Sequence, residues 1–139
     1  MAGYSATPLP KKLGLSPDMR VCAIGCDDYA GRVGATAVDL ATQAKPDAGT
    51  DLVHLFATRR SELEAWLPKL RRALRPDATV WVSWPKKASK VATDIVEGTI
   101  REVALPLGFV DVKVCAVDEV WSGLKLVVRK ELRGTPPTR

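Results

Sequence analysis

Three lysines within five positions follow a strand-like run that carries two tryptophans: VWVSWPKKASK, Val80 to Lys90. Lys86, Lys87 and Lys90 have no acidic residue among them, and Trp84 is the last large apolar residue before Pro85. The chemistry open to such a set is the holding of an anion, with ammonium groups supplying charge and an indole supplying an apolar wall. A solvated basic loop is the other reading, because exposed charges are screened by salt. Position separates the two. A helix is expected to begin near Ser89 or Thr93, and a helix N-terminus opposes nearby cations. Three lysines there make more sense if an anion completes the site.

The remaining chemically able side chains are scattered. Asp118 and Glu119 are adjacent, so in an extended chain they point apart and do not form an acid–base pair. They are candidate partners for Lys86 or Lys87. His54, the single histidine, shares a strand face with Leu52 and Phe56 and reads as a hydrogen-bonded core residue. Cys22 and Cys115 sit in apolar runs, where a thiol behaves as a small hydrophobe; Cys26 lies at a strand end and could react. No metal is implied, because ligands at the necessary spacing are missing. Arg59 and Arg60 follow another strand end. Lys69, Arg71, Arg72 and Arg75 make the polar side of a helix, either solvated or available to nucleic acid.

The elements that position these residues follow from periodicity. A short helix is expected over Pro8–Leu15. Strands are expected over Arg20–Gly25, Thr36–Thr42 (weak), Leu52–Ala57, Thr79–Trp84, Phe109–Val117 and Leu124–Lys130. After Gly25 comes a loop or short helix. Ser61–Arg75 has Leu63, Trp66, Leu67, Leu70, Ala73 and Leu74 on one stripe, with Ser61 and Glu64 at capping-box spacing and Pro68 expected to kink it. A second helix runs to Leu105, with Val96, Ile100, Val103 and Ala104 on one face. Alternating strands and helices imply parallel strands with right-handed crossovers, and the short link DEVWSG makes the last pair antiparallel. The expectation is one three-layer α/β domain over residues 1–132, Rossmann-like, with one reversed strand, and a loose tail from Arg133 to Arg139.

Composition sets outer bounds. The chain has 139 residues, 46% of them hydrophobic and 27% charged, enough for one packed core. Net charge is +5, from 21 basic and 16 acidic residues. This near balance, without a reader motif, argues against nucleic acid as the main partner. No apolar run suits a membrane span and no signal-peptide core opens the sequence, so a cytoplasmic location is expected.

Several stretches resemble known sequences. LGLSPDMRVCAIGC resembles the opening of a class I S-adenosylmethionine-dependent methyltransferase domain. DLVHLFATRRSELEAWLPKLRRALRPDATVWVSWP resembles its middle, and LPLGFVDVKVCAVDEVWSGLKLVVRK its closing hairpin. GYSATPLPKKLG, DLVHLF, VSWPKKAS and DEVWSGLKLV together resemble a small actinobacterial family of unknown function. The methyltransferase resemblance implies that the reversed strand inserts beside Thr79–Trp84, bringing Trp121, Ser122 and Gly123 next to Trp84 and Pro85. It also implies a cofactor loop after the first strand. There this sequence departs from the pattern: Ala23 stands at the acidic position, Gly25 is retained, and Asp27, Asp28 and Tyr29 replace small residues that let the cofactor approach. Only residues 26–50 separate Gly25 from Asp51, where the full fold fits two more strand–helix units. Asp39 is the one remote candidate for a ribose ligand.

The resulting expectation is a non-catalytic, methyltransferase-like binding or regulatory protein with no assigned cofactor. Its site would be Trp84, Lys86, Lys87, Lys90, Trp121 and Ser122, taking a small anionic ligand or an acidic protein partner. The alternatives are an atypical S-adenosylmethionine-dependent methyltransferase and a weak nucleic-acid binder.

Overall fold

The computed structural model describes residues 8–34, 41–42 and 45–133. Asp39, most of the weak second strand and residues 134–139 of the expected tail lie outside the described residues. Strands β1 (Arg20–Ile24), β2 (Ala41–Thr42), β3 (Leu52–Phe56), β4 (Thr79–Pro85), β5 (Phe109–Ala116) and β6 (Trp121–Val128) form one sheet in the order β2-β1-β3-β4-β6-β5. The first four pair in parallel. β6 runs antiparallel to both β4 and β5, and so lies between them. The reversed strand therefore inserts where the resemblance implies, with Trp84 opposite Ser122 and Pro85 opposite Trp121.

Helices α1 (Leu9–Leu13) and α2 (Tyr29–Val33) bring apolar side chains to one face of the sheet; α3 (Arg60–Ala73) and α4 (Glu97–Ala104) cover the other, and α5 (Lys130–Arg133) ends the described chain. Arg133 closes this last turn, its guanidinium donating to the Val128 carbonyl, and so does not begin the tail. The period-2 alternation of each strand splits the core in two. Cys22, Val53, Leu55, Val80, Val82, Trp84, Leu124 and Leu126 pack under α3 and α4. Val21, Leu52, Phe56 and Trp81 pack under α1 and α2. The α3 stripe buries Leu63, Leu67 and Leu70 completely, each worth roughly 1.5–3 kcal/mol. Trp81 is fully buried, and its indole N–H donates to the Leu13 carbonyl at 2.9 Å, tying α1 to the sheet.

Two local expectations, the start of α3 and the start of the next long helix, change. The α3 start is not the Ser61–Glu64 box. Glu62 accepts from the Thr58 and Arg59 amides, and Asp94 accepts from the Arg60 amide at 2.6 Å. Helix α3 continues through Pro68. The second long helix begins at Glu97, well after Ser89 or Thr93, because residues 90–96 form a strap instead. Thr93 Oγ1 donates to the Thr58 carbonyl at 2.6 Å and accepts from the Ile95 amide. Val96 consequently stands outside the packed face of α4, 64% exposed, whereas Ile100 and Ala104 are buried.

Candidate functional site

The parallel strands β1, β3 and β4 all end at one edge, where ligands bind in open α/β sheets. Of the depressions that open there, one beyond β1 and one beyond β4 lie toward opposite faces of the sheet, and a smaller one follows β3 at Thr58 and Arg59.

The first follows β1. Gly25 has φ +80°, and a Cβ on it would lie 2.5 Å from the Phe56 carbonyl oxygen, so only glycine lets β1 end this close to β3. Asp28 takes φ +50°, a left-handed conformation that aspartate tolerates better than most residues, and its Oδ1 accepts from the Gly31 amide to start α2. Tyr29 turns inward. It is 5% exposed, and its hydroxyl lies 2.7 Å from His54 Nδ1. The ring therefore packs into the core, and of the three loop side chains only Asp27 and Asp28 reach the depression beside it. Asp27, Asp28, Gly31, Arg32 and Asp118 line an open depression of about 360 Å³.

Arg32 organises this corner. Its guanidinium donates to Asp118 at 3.1 Å and to the Cys26 sulfur at 3.2 Å, and lies 5.8 Å over the Phe56 ring. The contact with the Cys26 sulfur first, and then the Asp118 carboxylate, raise its already high pKa against the opposing effect of burial. Asp118 Oδ1 accepts from the Val120 and Trp121 amides at 2.8 Å each, so one carboxylate fixes both the hairpin turn and Arg32. Asp118 thus pairs with Arg32 and with neither Lys86 nor Lys87. Nothing in the local sequence marks Arg32, since its partners lie at positions 26 and 118.

Beneath this corner is a closed polar chain. His54 is fully buried, with Nδ1 toward Tyr29 and Nε2 2.7 Å from Ser83 Oγ. A neutral imidazole has one donor and one acceptor, so the chain is satisfied at both ends in either tautomer. Burial pushes the imidazole pKa down to about 3 and the Tyr29 hydroxyl well above its usual value. His54 stacks on Phe56 at 4.3 Å, and Trp121 meets Phe56 edge-on at 5.2 Å. This is the hydrogen-bonded core histidine expected from the sequence. It opens into neither depression.

The second depression lies past β4, on the face under α3 and α4. Trp84, Pro85, Lys87, Thr93, Ile95 and Val96 line about 300 Å³. Lys86 donates its amide to the Val120 carbonyl at 2.7 Å, and its carbonyl accepts from Ser89, closing a 3-10 turn over Lys87–Ser89. The lysines therefore surround one isolated turn and precede α4 by a whole strap, so the expected opposition to a helix dipole does not arise. The expected site residues divide. Trp84 and Lys87 share the cavity, whereas Trp121 packs on the opposite face against Phe56. Ser122 pairs with Trp84 in register between β4 and β5. Thr93, Ile95 and Val96 join Trp84 only because the strap folds back, which no spacing rule reveals.

Comparison with solved structures places this geometry. A S-adenosylmethionine-dependent methyltransferase from Aquifex aeolicus aligns over 86% of this chain and 87% of its own, at 15% identity and TM-score 0.60. A TehB-like methyltransferase from Corynebacterium glutamicum aligns over 92% and 91%, at 13% identity and TM-score 0.58. Precorrin-6y C5,15-methyltransferase from Geobacter metallireducens aligns over 86% and 84%, at 13% identity and TM-score 0.54. The fold is methyltransferase-like. At these identities the likeness concerns the fold alone. No family model and no curated protein matches the chain. Among the described residues, no helix is long and apolar enough to cross a membrane.

Proposed function

We propose that the chain is a S-adenosylmethionine-dependent methyltransferase of atypical cofactor loop, with the cofactor seated in the depression beyond β1. One observation supports this reading: Tyr29, one of three side chains that stand in the loop in sequence, is buried and does not line the depression. Gly25 makes the tight exit from β1, Asp28 supplies the left-handed turn, and Tyr29 leaves for the core.

The donor set suits the zwitterionic end of the cofactor. Asp27 and Asp28 can accept from its ammonium, and Arg32, with five N–H donors, can hold its carboxylate while keeping Asp118. When bound, the cofactor supplies an electrophilic methyl group on a sulfonium. The chain's own part is orientation, through charge placed at a rigid strand end.

The test is calorimetric titration with S-adenosylmethionine and its demethylated product. Micromolar binding is expected, with at least a tenfold loss in a D27N/D28N double variant; asparagine still caps α2, so the fold is kept. At a hundred times its dissociation constant the ligand should add about 2.7 kcal/mol of stability. Absence of heat and of thermal stabilisation at millimolar cofactor would refute the reading.

A second reading rests on Ala23, which leaves β1 without the acidic side chain expected there. In that reading the protein binds an anionic ligand or an acidic partner at the lysine-bearing edge and catalyses nothing. It is favoured over the first if ligand binds with no methylated product formed from any acceptor.

A further inference from the structure

The depression beyond β4 shares no lining residue with the one beyond β1, and its chemistry is different. Its base is apolar: Trp84, Pro85 and Ile95 are all buried, with Trp84 8% and Ile95 1% exposed. Its mouth carries Val96, 64% exposed on a segment held in place from both ends. At one end Thr93 and Asp94 bond to Thr58 and Arg60. At the other, Ser89 Oγ donates to the Lys86 carbonyl and accepts from the Val91 amide. The cavity is thus built by fixed backbone. Among the described residues, the one charged residue in its lining is Lys87.

The charge at that mouth is unanswered. Among the described residues, Arg32, Arg60, Arg75, Arg101 and Arg129 each pair with a carboxylate, whereas no lysine does, Lys86, Lys87 and Lys90 included. Glu97, the acidic residue nearest in sequence beyond the strap, is taken by Arg101. A buried indole and isoleucine floor, an exposed valine lip and an unmatched ammonium together select a ligand with an apolar body and one anionic end. A cavity of about 300 Å³ sits at the small end of the roughly 300–1,000 Å³ range of ligand sites, so the body is of one- or two-ring size.

We infer that the strap cavity of Trp84, Pro85, Lys87, Thr93, Ile95 and Val96 binds a small organic anion, its apolar body on Trp84 and Ile95 and its carboxylate toward Lys87. This assignment does not depend on the cofactor reading. It holds whether or not S-adenosylmethionine binds beyond β1, and the two are tested with different probes.

The probe is 2-naphthoate, titrated against the intact chain by calorimetry and by tryptophan fluorescence, beside the neutral 2-naphthalenemethanol and inorganic phosphate. Naphthoate should bind with a dissociation constant below 1 mM on the order of weak fragment affinities, at least tenfold tighter than the alcohol, and phosphate should not compete. Lys87→Gln should weaken naphthoate by roughly three- to tenfold, about 0.7–1.4 kcal/mol on the affinity scale, and leave the alcohol unchanged. Val96→Glu, at an exposed position, should repel the anion by a similar factor without altering thermal stability. Three results would each overturn the assignment: no naphthoate binding by the parent, equal binding by Lys87→Gln, or phosphate competing as a full replacement.

Discussion

The two corners of the carboxyl edge stand on opposite faces of the same strands and follow opposite rules. Beyond β1, the polar groups other than the Asp27 carboxylate find partners within the protein: Tyr29 with His54, His54 with Ser83, Arg32 with Asp118, and Asp118 with two amides of its own turn. Beyond β4, three ammonium groups meet no carboxylate among the described residues, and Val91 and Val96 face water. The difference separates groups that hold the fold from groups left over for something outside it. A polar group satisfied in the interior is expensive to disturb, whereas an unmatched surface charge is nearly free to remove.

The largest effect should come from the buried chain. His54→Ala leaves a cavity and strips both the Tyr29 hydroxyl and Ser83 Oγ of their shared partner. A loss of about 3–5 kcal/mol is expected in urea denaturation. A loss below 1 kcal/mol would erase the contrast between the corners.

Acid should expose the same chain without mutation. The folded imidazole holds its pKa at about 3, below the unfolded value near 6.5. The unfolded state therefore binds the proton first. Stability is full above about pH 6.5 and falls as pH drops toward 3, by on the order of 3 kcal/mol between pH 7 and pH 4. Asp51, whose carboxyl is lowered first by the Arg20 amide and then by Arg75, adds a loss in the same direction at still lower pH. Denaturation midpoints across this range check the slope, which should flatten in a His54→Gln variant.

Gly25→Ala comes next. The residue would hold φ +80° with its methyl against the Phe56 carbonyl, and roughly 1–3 kcal/mol of strain is expected. Cofactor affinity should fall further than stability if the depression beyond β1 is a binding site, and calorimetry on the folded variant separates the two. The smallest effect belongs to the lysines. Replacing Lys86, Lys87 and Lys90 by glutamine should leave stability within about 0.5 kcal/mol of the parent. A larger loss would mean that the strap corner, too, is held by its charges.

Much of the frame is legible in the sequence because it depends on local pattern. The Leu63–Leu67–Leu70 stripe and the continuous apolar runs of β3 and β4 give their elements away, and the neighbours of Trp84 across β6 follow from the fold resemblance. What escapes is set by contacts distant in sequence. Helix α4 starts late because Thr93 and Asp94 bond to Thr58 and Arg60, more than thirty positions upstream. Tyr29 looks like an obstacle in the cofactor loop until its partner His54, twenty-five positions away, takes the hydroxyl into the core. Trp84 and Trp121 look like two walls of one site because they end and begin adjacent strands. Antiparallel register sets Trp121 opposite Pro85, and so on the other face. Arg32 escapes for the same reason as Tyr29.

The insertion of β6 between β4 and β5 also bears on how the chain is made. Synthesis delivers β1 to β4 in order, and each can dock on its parallel neighbour as it emerges. The free edge of β4, with Trp81, Val82 and Trp84, then has no partner until residues 121–128 leave the ribosome. At roughly 5–20 residues per second that interval lasts a few seconds. During it the growing protein presents an open, apolar sheet margin of the kind that chaperones capture. Among the described strands, the last in the chain is thus an interior one, and its arrival closes the open edge of β4.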